Sequence, residues 1–182
     1  MSRNTVLRSL HDVGLAAWFG GTLANAVALN PAASQPRSDH EKGQVANLGW
    51  DRWTPVNAAA IGAHIAGASG LLLANRNRVA RQQGVGTMTI VKTVLTGAAL
   101  GITAYSRFLG RKVSERTDVP VASATEPVPD TPQGVACAQQ QLQLLQWAVP
   151  ALTGALVVLS SLAGEQQRPS EVARGLRRRV AS

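Results

Sequence analysis

The chain has one cysteine, two methionines and three lysines, and each scarcity closes a route. A lone Cys137 can form neither an internal disulfide framework nor a CxxC metal or redox site. Met1 and Met88 alone offer no thioether path for copper. Charge is thin as well: charged residues make up 15% of the chain, against about 25% in soluble domains. Aromatics are 4%, and no basic stretch is interleaved with them, which argues against nucleic acid as a partner despite a net charge of +8. No glycine-rich phosphate loop follows a strand, and no GxSxG or Ser/His/Asp arrangement is present. A non-enzymatic protein with no cofactor and no metal is the expectation.

What the chain does have is apolar sequence in four long blocks, with nearly every charge between them. That pattern excludes an ordinary soluble globule. Val13 to Leu29 carries no charge and is closed by Asn30-Pro31, since proline cannot continue a helix. A second block runs from Pro55, which suits a first helical turn, to Ala74. The third, Thr87 to Tyr105, is interrupted only by Lys92, and the fourth, Trp147 to Ala163, holds Pro150 near its start. Each approaches the roughly 20 residues that cross a hydrocarbon core of about 30 Å. The reading is an all-α integral membrane bundle of four transmembrane helices, at residues 12–30, 55–75, 87–106 and 146–164. Arg3 and Arg8 ahead of an Ala-rich run also permit a cleaved signal peptide, although the apolar run is longer than usual for one.

Orientation follows from the basic residues. Residues 1–11, 76–86 and 165–182 hold ten Lys or Arg outside the spans; residues 31–54 and 107–145 hold seven and most of the acids. The positive-inside rule therefore places both termini in the cytoplasm of a multi-pass cell-membrane protein. Trp50, Trp53, Tyr105, Phe108 and Trp147 then gather at the outer interface. Residues 117 to 134 hold four prolines and read as an exposed, poorly ordered linker. Gln139 to Gln146 reads as a membrane-proximal helical extension, and the tail as a basic surface helix presenting Val172, Leu176 and Val180.

Small residues recur at four-residue spacing: Ala16, Gly20 and Ala24; Gly62, Ala66 and Gly70; Gly97 and Gly101. Such ridges let helices approach closely where lipid supplies no hydrophobic drive. Packing within the bundle is expected, with a second copy or a larger membrane complex as the other user of these faces. Lys92 has three readings: snorkelling to headgroups, a buried pair with Asp12, or a transport role. His64 falls near mid-span as a neutral hydrogen-bonded packing residue, and a second axial histidine for haem is missing, because His11 lies about 15 Å away in depth.

The run His11-Asp12-Val13-Gly14-Leu15-Ala16-Ala17-Trp18-Phe19-Gly20-Gly21 resembles the H-x-x-G…W-x-G-G opening of small bacterial four-helix membrane families of unknown function, and distantly that of copper-resistance D-type membrane proteins. The resemblance implies a four-helix integral membrane protein. It carries over no functional residue, and a copper role would need ligands this chain lacks. The high Arg and Ala content agrees with a GC-rich, actinobacterial type of genome. Two functions stand open: an accessory protein packing with itself or with a larger complex in the lipid bilayer, and a small-solute or ion transporter using Asp12, His64 and Lys92.

Overall fold

A computed structural model describes residues 4–76, 79, 85–115 and 119–165. Its regular structure among these is helical, apart from one isolated bridge between Val121 and Pro127. Helix α1 is Thr5–Ala24; a π-helical turn, Asn25–Leu29, carries it into a last turn, Asn30–Ala32. Helices α2 (Asp39–Ala74), α3 (Val85–Ser114) and α4 (Gln133–Glu165) follow. All four are long and apolar enough to cross a membrane. The end of the bundle with Thr5, Ala74 and Val85 is called the base here, and the end with Asp39, Ser114 and Gln133 the crown.

The helices outrun the apolar blocks. The 36 residues of α2 span about 54 Å at the usual rise. Pro55, expected in a first turn, lies inside α2. The helix starts sixteen residues earlier because Ser38 is extended there, and Asp39 and Glu41 occupy the first turn, where negative charge meets the positive end of the helix dipole. Lys42 pairs with Asp39 at 2.7 Å. Thr54 donates its hydroxyl to the Trp50 carbonyl at 2.8 Å just before the proline. Pro31 likewise does not stop α1 at once. The preceding turn widens to i→i+5 bonding, with the Asn30 N–H donating to the Asn25 carbonyl, and such π-turns recur where a helix has a local task.

Helix α1 packs against α2 and α4, and α3 packs against α4, while α2 and α3 make no extensive contact with each other. The arrangement is therefore a row folded around a gap: α2, α1, α4, α3. Leu15, Trp18, Ala60, Ala99, Val149 and Leu156 form the shared core.

The α1–α2 contact is the tightest in the molecule. A Cβ on Gly14 would lie 2.5 Å from the Ala60 carbonyl oxygen and from the His64 nitrogen. One on Gly67 would collide with the backbone of His11 and Leu7, and one on Gly21 with the Trp53 ring. These contacts are backbone against backbone, or backbone against a rigid ring, so no flexible side chain can give way. The contacting residues of α1, Leu7, His11, Gly14 and Gly21, are spaced by four, three and seven, the rhythm of a near-antiparallel helix pair.

The small-residue ridges fall elsewhere. Gly70 meets the Leu7 side chain, but a Cβ on Gly20, Gly62, Gly97 or Gly101 would meet nothing within 4 Å. Gly20, Gly62 and Gly101 are exposed, so the expectation that they pack inside the bundle is corrected, whereas Gly97 lines a cavity between α2 and α3: four-residue spacing defines a stripe without fixing which stripe turns inward.

The loop after α3 also departs from expectation. Residues 119–132 are not an exposed linker. Val121, Ser123, Ala124, Thr125 and Thr131 are buried, and Ala124 closes a small apolar cluster with Ala33 and Ala46. Thr131 donates to the Pro120 carbonyl at 2.7 Å, and buried Gln139 donates to the Ser123 carbonyl at 3.1 Å. The prolines rigidify a hydrogen-bonded cap. The basic tail, with Val172, Leu176 and Val180, lies outside the described residues.

Gly14→Ala and Gly67→Ala are expected to lower the thermal midpoint in detergent, at a cost of about 1–3 kcal/mol each, typical of overpacking. Gly62→Ala and Gly97→Ala should leave it unchanged or raise it, since alanine is favoured over glycine inside a helix by about 0.5–1 kcal/mol. Equal losses at all four positions in thermal unfolding would contradict this packing.

Candidate functional site

The close approach at Gly14 and Gly67 has a consequence for the polar residues. It draws His11 of α1 and His64 of α2 together, with ring centroids 4.5 Å apart and planes inclined by 45°. The expected depth difference of about 15 Å does not exist. Helix α1 begins at Thr5, so His11 sits nearly two turns inside the helix rather than at its edge, and antiparallel α2 brings His64 to the same level. The two rings lie directly against each other, leaving no room for a haem plane between them.

Hydrogen bonds orient both rings. His64 Nδ1 lies 3.2 Å from the His11 carbonyl oxygen. A carbonyl only accepts, so Nδ1 carries the proton, and in the neutral ring Nε2 keeps its lone pair. His11 Nδ1 lies 2.7 Å from Asp12 Oδ1, which gives the same tautomer when His11 is neutral. Both histidines are buried, whereas the Asp12 side chain is 58% exposed. Trp18, wholly buried, stands 6.2 Å from His64 on the crown side.

The expected Asp12–Lys92 pair is not formed: among the described residues no ion pair within 4 Å joins them, and the Asp12 carboxylate holds the neighbouring imidazole instead. Both do line one cavity of about 490 Å³ between α2 and α3 in the base half, together with Arg8, His11 and His64. Lys92 is half-buried, seven residues inside α3 from Val85. This base cavity combines two imidazoles, a carboxylate and two cationic side chains. Ser69, Thr89, Thr93 and Thr96 add hydroxyls. Thr89 and Thr93 turn their hydroxyls back to carbonyls one turn earlier, at 2.8 and 2.9 Å. Among the described residues no three His, Cys, Asp or Glu side chains gather as a metal site. The arrangement suits proton exchange and hydrogen bonding to a small solute.

A second cavity, of about 310 Å³, occupies the same gap in the crown half. Leu100 lines both cavities and marks the division between them. Asp51 and Arg107, 3.6 Å apart, and the bond from Ser114 to Asn47 at 3.1 Å tie α2 to α3 at the crown. The cap contributes Ala124 and Thr125 to its wall. Reading the sequence residue by residue for charge passed over this cavity. Its signal was Asn57, Thr103 and Ser106, neutral polar residues inside apolar blocks. Five side chains in its wall have a buried polar atom without a partner, and each such atom costs about 1–3 kcal/mol.

No protein-family profile, curated protein or solved structure matches the chain.

Double-mutant cycles separate the contacts at the base cavity. Asp12→Asn with His11→Gln should show coupling of about 0.5–1 kcal/mol, the range of one hydrogen bond discounted for an exposed carboxylate. Asp12→Asn with Lys92→Met, residues that share the cavity without forming an ion pair, should couple less than the first pair. Strong coupling in the second cycle, measured by thermal unfolding, would restore the direct ion pair.

Proposed function

We propose that this is a multi-pass membrane protein of the cell membrane, with both termini cytoplasmic, that binds and passes a small solute or ion through its base cavity. The observation that carries the reading is the meeting of His11 and His64 at 4.5 Å beside Asp12 and Lys92 in one cavity. Ionisable side chains are expensive at membrane depth and are retained mainly where they face water, protein or a transported species. Here two imidazoles of defined tautomer touch, one held by a carboxylate and the other by a backbone carbonyl. Proton transfer along Asp12, His11 and His64 needs only short movements, and Lys92 supplies a positive charge for an anionic group on the solute. The role is binding and passage rather than catalysis.

An accessory role has its own support. Gly20, Gly62 and Gly101 present backbone with open space around them, the surface a helix of a second copy or of a larger complex would need. Gly62→Leu with Gly101→Leu should then change the size of the assembly crosslinked in native membranes while leaving the isolated protein's stability unaltered.

The orientation is tested with a phosphatase reporter active only outside the cytoplasm. It should be silent after Ser182 and active within residues 120–132; activity at both sites would overturn the arrangement. The solute reading is tested with protons as the probe. Liposomes containing the protein, a trapped pH dye and an imposed membrane potential should acidify faster than empty ones. His64→Leu should reduce the excess rate at least tenfold. A rate equal to that of empty liposomes would leave the accessory role as the better reading.

A further inference from the structure

We infer that the base cavity takes its solute as an amphiphilic anion, one negatively charged head group on an apolar body. The inference rests on the solute reading above and names the class of that solute. Arg8, Asp12 and Lys92 are, with the two histidines, the titratable groups in the described wall. His11 and His64 are only 5% and 1% exposed, so Arg8, Asp12 and Lys92 are the charges a solute meets. Two of them are positive and one is negative.

The negative charge is already engaged, since Asp12 Oδ1 holds His11 Nδ1 at 2.7 Å. Lys92 is not: among the described residues it forms neither a hydrogen bond nor an ion pair. Its charge is nevertheless felt by Asp12, His11 and His64 across the cavity. An ammonium at membrane depth is costly unless it faces water, protein or a transported species. An anionic head group supplies the counter-charge that Lys92 lacks. Arg8, one turn nearer the base than Asp12 on α1, adds positive charge on the side from which such a group would enter.

The neutral polar groups of the wall are largely committed elsewhere. Thr89, Thr93 and Ser160 donate their hydroxyls to carbonyls of their own helices, at 2.8, 2.9 and 2.7 Å. The Asn75 amide donates to the Leu71 carbonyl at 2.7 Å. A sugar, or any solute read through many hydrogen bonds, would find few donors free, so charge is the handle that is left. Leu72, Val85, Met88 and Leu100 supply apolar wall for the rest of the molecule. The volume of about 490 Å³ lies within the roughly 300–1,000 Å³ usual for small-molecule sites. Two sources carry this chemistry. Basic pockets between membrane helices hold anionic lipid head groups, and a medium-chain carboxylate offers the same head and body in free form.

The test uses the full chain in an uncharged maltoside detergent, titrated with decanoate as the free anion and with dioctanoyl phosphatidylglycerol as the lipid. Decanol and dioctanoyl phosphatidylcholine, with the same chains and no net charge, are the controls. A saturable rise in thermal midpoint is expected with at least one anion and with neither control, as mass action requires of a ligand that binds the folded state. A response to decanoate alone assigns a free solute, and one to phosphatidylglycerol alone a lipid. A response to both assigns a site that reads the head group whatever carries it. Lys92→Met should weaken binding at least tenfold, and Lys92→Arg, which keeps the charge, should hold it within about threefold. Asp12→Asn keeps an acceptor for His11 and removes the competing negative charge, so it should tighten binding at least threefold. It gives a second reading should Lys92→Met fail to fold. Anion binding without proton passage in liposomes would remove passage and keep this site, whereas proton passage without anion binding would do the reverse. Equal responses to anions and controls, or no saturable response to either anion, would overturn the inference. So would unchanged affinity in Lys92→Met, or in Asp12→Asn where Lys92→Met does not fold.

Discussion

The rest of the structure depends on how closely α1 and α2 approach at Gly14 and Gly67. These helices are apolar on exposed and buried faces alike, so hydrophobicity does not choose their contact, and shape and polar bonds must. Removing two side chains lets backbones meet, and the gain in dispersion contacts accumulates along the whole pair. Trp53 over Gly21 and Leu29 over Gly49 continue the same fit towards the crown. Once that register is fixed, His11 and His64 have to share a level. The histidine pair is thus a product of glycine placement.

A second constraint is the row-like order of the helices. With α1 and α4 at the centre, α2 and α3 flank a gap that packing alone does not fill. Both cavities are parts of this gap, and their chemistry differs because of which residues each level supplies. The base half receives His64 from α2, Lys92 from α3 and Arg8, His11 and Asp12 from α1. The crown half receives amides, hydroxyls and tryptophans. Leu100 lies between a compartment lined by Arg8, His11, Asp12, His64 and Lys92 and one whose wall holds Arg107. Polar ties across the crown, Asp51 to Arg107 and Ser114 to Asn47, join the flanking helices there. The cap of residues 119–132 completes the wall on that side, with Gln139 anchored to Ser123 and Ala124 set between Ala33 and Ala46.

What the sequence by itself determined is the number of helices and their apolar character. Runs of uncharged residues long enough to cross a bilayer leave helices as the structure that satisfies every backbone group within one segment. It also determined which chemistry was present, since Asp12, His64 and Lys92 stand out against apolar surroundings. The helix ends were only partly legible. Pro31 and Pro55 read as boundaries from local rules, but a π-turn and a polar first turn at Asp39 let the chain stay helical past both.

The tertiary structure alone decided which face of each helix turns inward. A four-residue spacing puts Gly20, Gly62 and Gly101 on tidy stripes, yet these three glycines face open space, and the contact follows Leu7, His11, Gly14 and Gly21 instead. In an ordinary soluble helix, hydrophobicity marks the buried face; here Val13, Val94 and Leu144 are exposed, so apolar character does not mark it. Partners across helices, His11 with His64 and Asp12 with His11 rather than Lys92, followed from that choice of face. The crown cavity did so too, because it is a space between helices far apart in the chain, and no single stretch of chain records it.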